Sequence, residues 1–93
     1  MDINELRQQI DSVDTRLAEL FEQRMKTATA IAKYKKENGL SVFDSERERE
    51  VLCRAVQATA PEIQPYTQAL YQKIFELSRT YQEKLISPED ENK

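Results

Sequence analysis

Apolar residues recur along the first 34 residues of the chain at alternating intervals of three and four. This spacing is typical of an α-helix with one apolar stripe, and its length is typical of a coiled-coil seam. The stripe runs through Ile3, Leu6, Ile10, Val13, Leu17, Leu20, Arg24, Thr27, Ile31 and Tyr34. We therefore predict one helix that begins at Asp2 or Asn4 and ends near Asn38. Gly39 follows where a left-handed residue commonly closes a helix.

Two shorter helices are predicted after Gly39. One begins near Asp44 or Ser45, within the charged segment FDSERERE, and ends before Pro61. The other begins between Pro61 and Pro65, because proline is tolerated in a first turn. Its apolar residues have helical spacing: Ile63, Tyr66, Leu70, Ile74, Leu77, Tyr81 and Leu85. The expected fold is all-α with three helices in one domain, residues 1–86, and a polar, disordered tail at residues 87–93.

The length of the first helix predicts an intertwined homodimer. About 34 residues at 1.5 Å each make a rod of roughly 50 Å, whereas a compact chain of this size has a diameter of roughly 32 Å. A second chain must cover the seam along the overhang, so each long helix would serve both subunits. The alternative is an ordinary antiparallel coiled-coil dimer that has no site.

Composition narrows the possible functions. The net charge of −3 and pI near 5.0 disfavour a nucleic-acid binder, and no apolar run is long enough to cross a membrane. The N-terminus resembles no secretion signal, which leads us to expect a cytoplasmic protein. The single cysteine, Cys53, and the lack of histidine exclude an internal disulfide, a Cys/His zinc site and histidine-based catalysis.

Three cations on the first helix are candidates for anion binding. Arg24 interrupts the apolar seam, so it needs a carboxylate or a bound anion. Lys35 lies 11 residues later on nearly the same face, whereas Arg7 is rotated by about 100° from that face and would point toward the partner subunit. The alternatives are a structural ion pair for Arg24 and solvated surface charges for Lys35 and Arg7.

Further candidates lie on the other two helices. Asp44, Arg47 and Glu48 fall on neighbouring faces of one turn, where the acids also suit the helix dipole. Ser78 and Gln82 are four residues apart beside the apolar stripe of the third helix, so they can share a face at the core's edge. Ordinary exposed polar side chains are an equally good interpretation of that pair.

Taken together, these residues resemble the all-helical class of chorismate mutases. The similarity runs from about residue 3 to residue 86, through LRQQIDSVDTRLAELFEQR, ATAIAKYK, DSERE and the Ser78-to-Gln82 spacing. It implies conversion of chorismate to prephenate, in phenylalanine and tyrosine biosynthesis, without cofactor or metal.

The resemblance also implies a role for each candidate. Arg24, and Arg7 from the other subunit, would bind the two substrate carboxylates with help from Ser78. Lys35 and Gln82 would donate to the ether oxygen, and Glu48 would accept from the ring hydroxyl. Asp44 would act near that hydroxyl through its backbone. Arg47 would support Glu48 and the charged rim of the substrate.

Two other functions stay open at this point. Isochorismate–pyruvate lyases are similar in fold, but the complete Ser78 and Gln82 pair and Glu48 favour the mutase. A non-catalytic dimerisation or regulatory module would be expected to have lost part of the charged set, and none of it is missing.

Overall fold

Three α-helices make up the chain in a computed structural model that describes residues 2–86. They are α1 (Ile3–Glu37), α2 (Ser45–Gln57) and α3 (Gln64–Ile86), and residues 2–86 contain no β-strand. The predicted all-α class and the long first helix are therefore confirmed. The predicted tail at 87–93 lies outside the described residues.

Polar side chains and one glycine set the ends of α1. The Asp2 carboxylate accepts a hydrogen bond from the Glu5 backbone N–H at 2.9 Å and so acts as the N-cap. At the other end, the Asn38 side-chain amide donates to the Tyr34 carbonyl at 2.8 Å. Gly39 then adopts a φ of +67°, the left-handed conformation that the sequence predicted there.

The connection between α2 and α3 is tied by hydroxyl groups. The Thr59 and Thr67 Oγ1 atoms are hydrogen-bonded at 2.9 Å, and the Gln64 Nε2 donates to the Thr59 carbonyl at 3.1 Å. Thr67 is buried, so this network satisfies polar groups that water does not reach. It fixes the angle at which α3 leaves the turn after α2.

Helix α3 packs against both other helices, while α1 and α2 do not pack against each other. Only the C-terminal half of α1 takes part, through a face of small residues that includes Thr29 and Ala32. Phe75 is the large apolar residue that α3 buries against them. The interior of a single chain is consequently small, and it lies toward the end of α1 that precedes Gly39.

No element of residues 2–86 covers the N-terminal half of α1. Its apolar side chains retain between 44% and 58% of their accessible surface: Ile3, Leu6, Ile10, Val13, Leu17 and Leu20. Most of the α3 stripe is exposed as well, at Tyr66, Leu70, Leu77, Tyr81 and Leu85, as is Ile63 just before the helix. The described chain measures 56 × 30 × 16 Å, with a radius of gyration of 16.9 Å, against about 12 Å for a compact domain of this length. A contiguous apolar surface of this extent is typical of an interface.

No helix within residues 2–86 combines the length and apolar character that a membrane crossing requires.

Candidate active site

A cavity of about 920 Å³ opens between the three helices beside the loop that joins α1 to α2. Its walls come from the C-terminal half of α1, residues 42–44, the first two turns of α2 and the C-terminal half of α3. Its apolar lining includes Ile31, Val51 and Phe75. Most small-molecule sites have this composition, a largely apolar cleft with a few polar groups.

Seven of the eight site residues predicted from the sequence line this cavity. They are Arg24, Lys35, Asp44, Arg47, Glu48, Ser78 and Gln82. Arg7 is the exception. It is exposed on the N-terminal half of α1, about 26 Å along the helix axis from Arg24. The fold thus brings seven predicted residues, which span positions 24 to 82 of the sequence, around one cavity and leaves Arg7 outside it.

Two cations of α1, Arg24 and Lys35, line the cavity and form no ion pair within residues 2–86. The Arg24 guanidinium lies over two rings, 5.6 Å from the Phe75 centroid and 6.0 Å from the Tyr71 centroid. These contacts orient the side chain and contribute cation–π attraction. Among residues 2–86, no carboxylate lies within ion-pair distance of Arg24 or Lys35, and both are only partly exposed. Such a pair is suited to an anionic ligand.

Asp44 and Arg47 have local partners at the start of α2. The Asp44 carboxylate caps the helix by accepting from the Arg47 backbone N–H at 3.1 Å, so its side chain has a structural role. The Arg47 Nη1 lies 3.9 Å from the Glu50 Oε2, in an exposed pair. Glu48 is paired instead with a residue of α3, and the support of Glu48 by Arg47 stays a prediction.

That residue is Arg79, which the sequence analysis did not single out. Its Nη1 donates to both oxygens of Glu48, at 2.7 and 2.6 Å, and its guanidinium lies 5.4 Å from the Phe43 ring centroid. The sequence feature that could have identified Arg79 is its position three residues before Gln82, because residues three apart share one face of a helix. Periodicity alone does not distinguish this arginine from the exposed Lys73 or Lys84 on the same helix.

Ser78 and Gln82 occupy the inward edge of α3, as their spacing predicted. Ser78 retains 6% of its accessible surface, and its hydroxyl lies 3.4 Å from the Met25 sulfur. Sulfur is a weak acceptor, so this hydroxyl can still turn toward a better partner in the cavity. Gln82 is partly exposed beside it, and its amide can either donate or accept.

Cations outnumber acids around the cavity. Its charged lining comprises Arg24, Lys35, Asp44, Arg47, Glu48, Arg79, Glu83 and Lys84. Glu48 is paired with Arg79, whereas Arg24 and Lys35 on α1 and Lys84 on α3 form no ion pair with a carboxylate of residues 2–86. Elsewhere, a hydrogen bond and the charge of Glu22 raise the pKa of Lys26, but this exposed pair is outside the cavity. No group of three or more acidic or cysteine side chains within residues 2–86 is placed to hold a metal ion.

Comparison with known families gives a match over residues 6–83, to the model described as chorismate mutase type II. The matched range includes most of α1 and α3, all of α2, the eight predicted site residues and Arg79. A search of curated proteins found no match to the chain.

Proposed function

Because the chain belongs to the chorismate mutase type II family, we propose that it converts chorismate to prephenate. This reaction is an intramolecular [3,3] rearrangement in which the ether C–O bond breaks while a C–C bond forms. It transfers no proton to the protein and forms no covalent intermediate. Binding, conformational restriction and charge stabilisation are then the whole contribution of the enzyme.

The observation that carries the proposal is that two cations of α1, Arg24 and Lys35, line the cavity and form no ion pair with a carboxylate of the described residues. Chorismate is a dicarboxylate, and negative charge grows on its ether oxygen in the transition state. Arg24 and Lys35 are held at the rim of a largely apolar cavity where water screens charge less than in bulk solvent. A bound anion would supply the counter-charge that no carboxylate of residues 2–86 provides to these two side chains.

The proposed roles are those that the resemblance to the family implies, and the charge and donor type of each residue suit them. Arg24 binds a substrate carboxylate, with the Ser78 hydroxyl as a second donor. Lys35 and Gln82 donate to the ether oxygen, where an ammonium and an amide N–H both stabilise the developing charge. Glu48 accepts from the ring hydroxyl, while Asp44 contributes through its backbone, since its carboxylate already caps α2.

The second carboxylate is assigned to Arg7 of another copy of the chain. Within its own chain, Arg7 is too far along α1 to reach the cavity, and it contacts no carboxylate of residues 2–86. An intertwined homodimer would cover the exposed seam of α1 and bring that arginine to the partner's cavity. The exposed apolar faces of α1 and α3 support such an assembly, because each supplies surface for the other's stripe.

The test follows chorismate consumption by the purified protein, with product identification by chromatography and isochorismate in a parallel reaction. Prephenate formation would support the mutase, provided that an Arg24→Ala preparation made in the same way is inactive. That control excludes a contaminating mutase from the expression host. Pyruvate and salicylate from isochorismate, with chorismate untouched, would indicate a lyase instead. A folded protein that is inactive on both compounds would indicate the non-catalytic module.

A further inference from the structure

Arg79 links three parts of the cavity wall that are distant in sequence. It projects from α3, its Nη1 donates to both Glu48 oxygens on α2, and its guanidinium lies over Phe43 in the preceding loop. Glu48 is therefore fixed from the opposite wall of the cavity and not by its own helix.

This ion pair differs from the others in residues 2–86. The remaining pairs join residues three or four apart on one helix, and their side chains keep more than half of their accessible surface. The Arg79 and Glu48 side chains keep 40% and 28%, respectively, and they lie 31 residues apart in sequence. Pairs of the first kind contribute little to structure, whereas a partly buried pair between elements holds both partners in place.

The pair leaves acceptor capacity on Glu48. A carboxylate has about four lone-pair positions, and the Arg79 Nη1 uses one on each oxygen. A ligand hydroxyl can thus bind Glu48 without breaking the ion pair. Without the arginine, the glutamate would sample several rotamers, and the ligand would have to select one of them on binding.

We propose that Arg79 is a positioning residue that holds Glu48 ready to accept the hydroxyl of the substrate ring. The inference rests on the proposed mutase function, in which Glu48 contacts the substrate. Arg79 then acts through Glu48, so its contribution exists only while Glu48 is a carboxylate.

A double-mutant cycle tests this dependence. Arg79→Met keeps much of the apolar stem over Phe43 but removes the charge, and Glu48→Gln keeps the shape of its side chain. We expect Arg79→Met to lower kcat/KM for chorismate roughly 10- to 100-fold in the wild-type background. In the Glu48→Gln background, the same substitution should change kcat/KM by less than about 2-fold. Arg54→Met, an exposed arginine of α2 outside the cavity, is the matched control and should leave activity unchanged.

Arg79→Lys provides the same comparison if Arg79→Met does not fold, as judged by circular dichroism. It retains a positive charge, but its single ammonium fits a carboxylate less well, so an intermediate loss is expected. Equal losses in both Glu48 backgrounds, or a folded Arg79→Met protein with full activity, would overturn the positioning role. In those cases the active wild-type enzyme would still support the mutase. A folded wild-type protein that does not convert chorismate would overturn the mutase, and the positioning role with it.

Discussion

Lys35→Ala gives the most direct test of charge stabilisation in the cavity. Lys35 lines the cavity and forms no ion pair with a described carboxylate, so its removal breaks no salt bridge. At about 4 Å and an effective dielectric constant of about 20, two unit charges attract by about 4 kcal/mol. One donor at a developing oxyanion is worth roughly 3 to 4 kcal/mol by mutagenesis, so kcat should fall by on the order of 10²- to 10³-fold.

The effect on folding should be much smaller. Lys35 lies in the last turn of α1, where a cation stabilises the helix dipole by about 0.3 to 1 kcal/mol. Alanine is a good helix former, so the Tm should fall by no more than about 8 °C.

The assay compares initial rates of chorismate conversion and thermal melts for the wild type, Lys35→Ala and Lys33→Ala. Lys33 is an exposed lysine of the same helix that does not line the cavity, and it points about 200° away. Lys33→Ala therefore removes the same charge, and adds an alanine to the same helix, as Lys35→Ala does. A folded Lys35→Ala enzyme with at least about a third of wild-type kcat, or an equal loss in Lys33→Ala, would refute the role of Lys35 at the ether oxygen.

Three more results are expected. Gln82→Glu should be slow at neutral pH, where a carboxylate would face the ether oxygen. Its rate should recover as the pH is lowered toward the ordinary glutamic acid pKa of about 4.3, and a rate that does not change with pH would contradict this contact. Arg7→Ala and Arg24→Ala proteins, each inactive, should regain activity when mixed, because one site of the heterodimer carries neither change. Absence of activity after demonstrated subunit exchange would argue against a shared site. Leu17 is 56% exposed in the single chain, and Leu17→Glu should prevent dimerisation. If light scattering gives the same molar mass for Leu17→Glu as for the wild type, that result would argue against the α1 seam as the interface.

Few of residues 2–86 are buried, because no element among them covers most of the apolar side chains of α1 and α3. The described fold places its small interior where α1 meets α3 and uses the space beside it for charged groups. The N-terminal half of α1 contributes almost no buried surface to that interior. Our proposed dimer gives it two functions, because the same helix would supply apolar surface for assembly and Arg7 for the partner's cavity.

The local features of the fold could be predicted from the sequence. Proline and glycine are rare, and Gly39, Pro61 and Pro65 lie between helices or in a first turn, so the three helices follow from periodicity and capping residues. Asp2, Asp44 and Gly39 were expected at helix ends, and the structure places them there. The candidate site residues were found because Arg24 breaks an apolar pattern and because the ordered set resembles one family.

The pairing across helices could not be predicted in the same way. Helical periodicity shows which face a residue occupies, but it does not show which other helix that face meets or at what height. The resemblance implied that Arg47 supports Glu48, whereas the structure pairs Glu48 with Arg79, 31 residues away. Sequence by itself determined the helices, their ends and the charged inventory, since these depend on interactions within a few residues. Only the tertiary structure decided which charges are paired and which face the cavity, because those contacts depend on how α3 packs between α1 and α2.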